Sequence, residues 1–209
     1  MTEQSPKANS SKLELWLILL IPTAGLLIFT FMYFSGFGVP QTTTNNGELI
    51  QPPRSIEAVT IVDVDNNEFV YNDNSHKWTI LIPAAGGCNE SCESTLYFTR
   101  QMHTALGKQM NGLRRFYLTD KKVIAPATES LLVAEYAKLE RFFTSTEDMN
   151  QLLGNVEGVD YRDGKTYFLV DPMGFVMMSY TDQHGLKDLL SDLKFLLKIA
   201  HPFAKSIAL

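Results

Sequence analysis

The chain has 209 residues and a net charge of -5, with 45% apolar and 20% charged residues. This composition is typical of an ordinary globular protein, and the length suits one domain with an appendage. Because the balance of charge is acidic, the sequence lacks the basic surface that a general nucleic-acid-binding protein needs.

An uncharged apolar segment runs from Leu15 to Phe34. Some 20 residues rising about 1.5 Å each span the roughly 30 Å hydrocarbon core of a bilayer. Residues 13–34 therefore predict one transmembrane helix, preceded by a cytoplasmic tail of residues 1–12. Lys7 and Lys12 precede the helix, and no Lys or Arg follows it before Arg54. This bias predicts a C-terminal domain on the periplasmic side of the inner (plasma) membrane, with a cleaved signal peptide as the alternative.

Residues 35–54 are rich in Gly, Pro, Thr and Asn and have no apolar periodicity, which indicates a linker. The remaining segment, 55–209, alternates between strand-like and helix-like patterns. In chain order the patterns predict a hairpin (58–64 with 68–73), a strand (77–83), a helix (90–110), a strand (112–119), a helix (129–146), a hairpin (166–180) and a helix (185–200). This order predicts an α/β domain in which helices flank both faces of a mixed sheet.

Both cysteines of the chain, Cys88 and Cys92, lie in "GGCNESC", where a buried strand and a glycine loop lead into a helix. A helix N-terminus stabilises anions, so a thiolate there has a lowered pKa. Cys88 should be the more exposed and more acidic thiol, with Cys92 on the same helical face. Three uses remain open: a redox couple in which Cys88 attacks and Cys92 resolves, a Cu(I) site, or a structural disulfide. A disulfide that closes so short a loop would stabilise the fold little.

Further metal ligands are few. The four histidines are scattered along the chain, which argues against a zinc site with four protein ligands. His103 would lie some 16 Å along the helix from Cys92, too far to share one ion. A copper site could be completed by Met173, in the turn "DPMG", by His184 or by a residue of a partner protein.

Taken together, these features resemble the SCO family, the membrane-anchored thioredoxin-like proteins that help to build the copper A centre of cytochrome c oxidase. The resemblance runs from the anchor through "GELIQPPR" (47–54), "WTILIP" (78–83) and "CNESC" (88–92) to "YFLVDPMGFVMMSY" (167–180). It implies a thioredoxin-like fold and copper binding by two Cys and one His. It also implies thiol–disulfide activity towards the oxidase subunit that carries copper A.

The chain departs from the family pattern at two positions. The family histidine stands nine residues before the Pro of "L-I-D-P", and counting back from Pro172 reaches Asp163. Glu93 replaces the usual Pro after the second Cys. A hard carboxylate is a poor substitute for imidazole beside thiolate-bound copper.

The sequence thus favours a membrane-tethered, SCO-like thiol–disulfide protein in cytochrome c oxidase assembly, acting through Cys88 and Cys92. A Cu(I) chaperone that uses the same thiolates is one alternative. A non-catalytic interaction module with a fixed disulfide is the other.

Overall fold

A computed structural model describes residues 10–35, 45–71 and 77–207, with side chains placed for 14–35, 45–71 and 77–198. The chain divides into two compact units, Met1–Thr44 and Asn45–Leu209. Three predicted features lie outside the described residues: the tail up to residue 9 with Lys7, linker residues 36–44, and His76.

The described part of the first unit is one helix, α1 (Ser10–Ser35). Its segment Glu14–Ser35 is long and apolar enough to cross a membrane. The hydroxyls of Thr23 and Thr30 donate to backbone carbonyls one turn back, at 2.9 and 2.7 Å, so these polar groups are satisfied within the helix. The predicted transmembrane helix is therefore present as a helix of spanning length.

The second unit is built on a seven-stranded sheet in the order β1-β7-β6-β3-β4-β5-β2. The strands are β1 (Glu48–Ser55), β2 (Ile61–Asp63), β3 (Trp78–Ala84), β4 (Leu113–Thr119), β5 (Leu139–Thr144), β6 (Tyr167–Val170) and β7 (Phe175–Tyr180). β3, β4 and β5 pair in parallel, and the other pairings are antiparallel. The central strands β3, β4 and β6 are buried along their whole length, as expected of strands covered on both faces.

Four helices cover the two faces: α2 (Glu90–Ala105), α3 (Pro126–Glu135), α4 (Thr146–Leu153) and α5 (Leu186–Ile207). On one face, Leu96 of α2, Leu132 of α3 and Leu193 of α5 pack in a single core against β3 and β4. On the other face, Met149 and its neighbours in α4 pack in a second core. The predicted mixed sheet with helices on both faces is confirmed.

The predicted linker is wrong at its C-terminal end, because residues 48–55 form β1, an edge strand paired with β7. The strand bulges between Leu49 and Arg54, and the Gln51–Pro52 peptide in the bulge is cis. Ile50 is buried in the core, and the Arg54 guanidinium donates to the carbonyls of Leu152 (3.1 Å) and Gly154 at the end of α4. These bonds satisfy carbonyls that a helix C-terminus leaves unpaired.

Asp192 of α5 holds the chain at the start of the folded unit. Its buried carboxylate accepts the backbone N–H groups of Asn46 (2.8 Å) and Gly47 (3.1 Å) and the hydroxyl of Tyr180 (2.9 Å). A Cβ at Gly47 would lie 2.5 Å from the Tyr180 ring, so only glycine fits there. The folded unit therefore begins at about Asn45 and not at residue 55.

One further prediction of secondary structure is wrong, and another is met only in part. The helix predicted over 129–146 ends at Glu135, and residues 139–144 form β5. Leu139 faces one core and Phe142 the other, because β5 is covered on both faces. Of the predicted hairpin (58–64 with 68–73), the described residues keep a bridge between Val62 and Glu68 and a hydrogen bond from the Phe69 N–H to the Ile61 carbonyl (2.8 Å), while β2 also pairs with β5. Residues 72 and 73 lie outside the described residues.

Candidate redox site

The loop after β3 delivers the cysteines to the N-terminus of α2. Gly86 and Gly87 have φ values of +75° and +110°, a backbone region that favours glycine, and the chain turns sharply there. The N–H of Gly86 donates to Asp120 Oδ1 at 2.7 Å, which ties the loop to the residue after β4. Cys88 follows directly, one residue before Asn89, the N-cap of α2.

The structure joins Cys88 and Cys92 in a disulfide, with their Cα atoms 5.3 Å apart. The side-chain oxygen of Asn89 accepts the N–H of Cys92 at 2.8 Å, which holds Cys92 in the first turn of α2. Cys92 is 1% exposed and packs in the core, whereas Cys88 is only partly buried. The two sulfurs are thus presented unequally, and a partner approaching from solvent reaches Cys88 first.

A depression of about 360 Å³ lies beside Cys88. Its lining comes from the loop after β3, the end of β4 and the segment leading into α3: Gly86, Gly87, Cys88, Asn89, Tyr117, Thr119, Lys121, Val123, Ile124, Ala125 and Thr128. Tyr117 is 1% exposed, and burial raises its pKa to about 12, so its hydroxyl stays protonated at neutral pH. Val123, which also lines the depression, is 88% exposed, so the lining includes an exposed apolar side chain.

Asp163 lies in a loop that touches the disulfide turn. Its carboxylate accepts the backbone N–H groups of Lys165 (2.6 Å) and Thr166 (3.0 Å), which fixes its own turn. The next residue, Gly164, has a φ of +75° and packs so closely that a Cβ would lie 2.8 Å from the Cys92 nitrogen. Asp163, which stands at the position of the family histidine, is therefore in a loop adjacent to the disulfide. Its carboxylate already accepts hydrogen bonds from the backbone.

The other proposed copper ligands lie elsewhere. His184 Nδ1 accepts the Thr181 N–H at 3.0 Å and lines a separate cavity on the flank of α2. Met173 is 75% exposed in the turn after β6, at the end of that strand remote from the disulfide. His103 Nε2 lies 3.2 Å from the carbonyl of Met110, beyond the other end of α2.

Within the part of the chain that the structure describes, no three His, Cys, Asp or Glu side chains are grouped so that they could hold a metal ion. The residues present do not fit a copper site of two thiolates and an imidazole. What the geometry provides is one disulfide between a partly buried sulfur and a buried one.

Three residues that shape the site were not singled out from the sequence: Asn89, Asp120 and Gly164. Asn before "ESC" is a preferred N-cap residue, and "DG" at Gly164 is a turn signal, so both had local cues. Asp120 had none, because its bond to Gly86 joins residues 34 apart in sequence.

Comparisons with known proteins agree with this architecture. The family described as "Transmembrane-like, thioredoxin-like, C-terminal domain" matches residues 78–200. No curated protein matches the chain in sequence.

Among solved structures, yeast Sco1 is 15% identical, with a TM-score of 0.53 over 77% of this chain and 97% of that one. Yeast Sco1 with copper bound is 14% identical, with a TM-score of 0.54 over 75% and 95% of the two chains. Arabidopsis thaliana ScoI with copper bound is 12% identical, with a TM-score of 0.50 over 65% and 94%. At these identities the likeness shows a shared fold, which confirms the SCO-like, thioredoxin-like architecture. The chain belongs to the transmembrane-like, thioredoxin-like C-terminal domain family.

Proposed function

We propose that this protein is a membrane-tethered, SCO-like thiol–disulfide protein whose redox couple is Cys88 and Cys92. The observation that carries the proposal is the unequal presentation of the two sulfurs. Cys88 borders a depression on the surface, and Cys92, which is bonded to it, is buried. A purely structural disulfide would not need an open surface beside one of its cysteines.

The chemistry runs through a mixed disulfide. In the reduced protein, the Cys88 thiolate attacks one sulfur of a client disulfide, and the client S–S bond breaks as the new bond forms. The amides at the N-terminus of α2 favour the thiolate over the thiol. Cys92 then gives up its proton and attacks the Cys88 sulfur, and the client sulfur leaves. The products are the Cys88–Cys92 disulfide and a client dithiol, which has gained two electrons from the cysteine pair, one proton from Cys92 and one from solvent.

By its likeness to SCO proteins, we propose that the client is the copper-bearing subunit of a respiratory oxidase. The protein would keep the cysteines of the copper A site reduced before metal arrives. This role requires a domain on the periplasmic side of the inner membrane, as the charge bias around α1 predicts.

Single-cysteine variants test the redox couple. Reduced Cys92→Ser full-length protein should accumulate a mixed disulfide with a peptide that contains an intramolecular disulfide, because Cys88 attacks and nothing resolves the adduct. Cys88→Ser should form far less adduct, because Cys92 is buried. Mass spectrometry of the trapped species measures both. Equal amounts of mixed disulfide in the two variants, or none in either, would contradict the proposal.

The reduction potential separates this function from that of an interaction module with a fixed disulfide. A potential in the range of roughly -120 to -270 mV fits a couple that exchanges with clients, whereas a value below about -300 mV fits a structural bond. Equilibration of the full-length protein with glutathione or dithiothreitol buffers gives the value.

A Cu(I) chaperone is the second candidate, favoured by the copper bound in solved structures that share this fold. Because the third ligand is missing, we expect reduced wild-type protein to lose Cu(I) to a chelator of moderate affinity. Asp163→His should retain more copper, and Asp160→His, in the same loop, serves as the matched control. Stoichiometric retention by the wild type would favour the chaperone over the redox couple.

A further inference from the structure

The outer face of α5 is basic in a chain whose net charge is -5. Between residues 187 and 198, the exposed side chains of this helix are Lys187, Ser191, Lys194, Phe195 and Lys198. At 100° per residue these positions share one stripe, with the three lysines clustered and Phe195 at its edge. Among the described residues, none of the three lysines has an ion-pair partner.

The folded unit begins on the flank of this same helix. The backbone N–H and the side-chain amide of Asn46 both bond to Asp192 at 2.8 Å, and the amide also reaches the Asp188 carbonyl at 3.3 Å. Asp192 lies one turn from Phe195, so the attachment point borders the basic face. Only nine residues, 36–44, separate Asn45 from the end of α1.

We propose that this face of α5 rests on an anionic phospholipid membrane surface. Lysines on an amphipathic helix are attracted to anionic headgroups, each strengthening the association by roughly fivefold near the surface. Phe195, which is 58% exposed, supplies an apolar side chain able to enter the headgroup region. The charge of the face and the attachment of the tether beside it both favour lipid as the occupant.

Docking through α5 would also orient the redox site. β3 pairs antiparallel with β6, and β6 pairs antiparallel with β7. The C-terminal ends of β3 and β7 and the N-terminal end of β6 therefore lie at the same end of the sheet. The disulfide and the N-terminus of α5 therefore lie at one end of the sheet. The proposal stands independently of the redox chemistry, since it concerns lipid contact alone.

The test uses the full-length protein in nanodiscs of phosphatidylcholine, with or without phosphatidylglycerol. Brief acetylation by a water-soluble reagent, read by mass spectrometry, gives the reactivity of each lysine. We expect Lys187, Lys194 and Lys198 to react at least about threefold more slowly with phosphatidylglycerol present, and high salt to remove the difference. Lys108, Lys121 and Lys138, exposed on other elements, should react equally in both discs.

A charge-matched pair of variants completes the test. In the wild type, we expect hydrogen exchange in α5 to be slower when phosphatidylglycerol is present. Replacing the three α5 lysines by glutamine should abolish this slowing. The same replacement at Lys108, Lys121 and Lys138 should leave it intact. Equal acetylation in the two discs would overturn the proposal and leave an acidic protein partner for this face. Equal loss of this slowing in both triple variants would also overturn the proposal, because it would show that net charge alone attracts the protein to the lipid surface.

Discussion

At the scale of single residues, the disulfide turn depends on a close backbone approach. Gly164 has no side chain to separate its loop from the N-terminus of α2, and its carbonyl accepts the Thr95 hydroxyl at 2.8 Å. A Cβ at this position would lie 2.4 Å from the Asn89 side-chain oxygen and 2.8 Å from the Cys92 nitrogen. The residue therefore matters both for its conformation and for its contact.

Gly164→Ala should lower the free energy of unfolding by about 2–4 kcal/mol, because it adds a steric clash to the cost of a left-handed residue. Gly158→Ala is the matched control. Gly158 has a similar φ of +73° but open space around it, so its variant should lose only about 1–2 kcal/mol. Urea denaturation of the oxidised proteins measures both, and equal losses would contradict the close contact.

His103 links stability to pH. Burial lowers its pKa, and the nearby Arg115 charge acts in the same direction, while its Nε2 lies 3.2 Å from the carbonyls of Met110 and Leu113. The folded state therefore binds the proton less readily than the unfolded state, in which the pKa is near 6.5. The stability due to this group is complete above about pH 6.5 and is lost as the pH falls.

His103→Gln should therefore flatten the dependence of stability on pH, because glutamine can donate to the same carbonyls without binding a proton. We expect the wild type to lose more unfolding free energy than the variant between pH 7.5 and pH 5. Urea denaturation at several pH values gives both curves. Parallel curves would show that His103 does not contribute.

At the scale of elements, β4 carries two adjacent arginines on opposite faces of the sheet. Arg114 donates to Thr79 Oγ1 at 2.9 Å, and its guanidinium lies 4.6 Å from the Tyr71 ring centroid. Arg115 is 3% exposed, and its Nε and Nη1 atoms have no hydrogen-bond partner among the described residues. Burial lowers the pKa of Arg115 to about 10, which reflects the cost of a desolvated charge.

Arg115→Met should raise the free energy of unfolding by about 1–3 kcal/mol, because it replaces a poorly satisfied buried charge by an apolar side chain of similar length. Arg114→Met, its neighbour on the same strand, should lower it by about 1–2 kcal/mol through loss of the Thr79 bond and the aromatic contact. Thermal and urea unfolding distinguish the two. Destabilisation of similar size in both variants would contradict this assignment.

At the scale of the whole molecule, the fold does not rely on the disulfide. Two apolar cores, one on each face of the sheet, hold the helices and strands of the folded unit. The bond joins residues four apart in sequence, so it restricts the unfolded chain very little. We therefore expect the domain to stay folded when the Cys88–Cys92 bond is reduced.

Reduction of the full-length protein by dithiothreitol should lower the unfolding free energy of the domain by no more than about 2 kcal/mol. The transition should remain cooperative, and the far-ultraviolet circular dichroism should not change. Unfolding on reduction would indicate a structural bond and contradict the proposed couple.

Prediction from sequence succeeded where a pattern is local and failed where packing chooses between patterns. The uncharged run up to Phe34 and the "GGCNESC" junction each specify their structure within a few residues. In contrast, "LERFFT" carries apolar residues at spacings compatible with a helix, and only its place between β4 and β2 makes it a strand. "GELIQPPR" has a linker-like composition, but Ile50, Arg54 and the Asp192 carboxylate fix it to the domain.

The sequence by itself determined the spanning helix, the α/β class and the position of both thiols at a helix start, because charge, periodicity and caps act over short distances. The tertiary structure decided which thiol is presented and where the folded unit begins. It also placed Gly164 against Cys92 and left Asp163 bonded to the backbone. These features depend on contacts between residues far apart in the chain, and no local pattern encodes them.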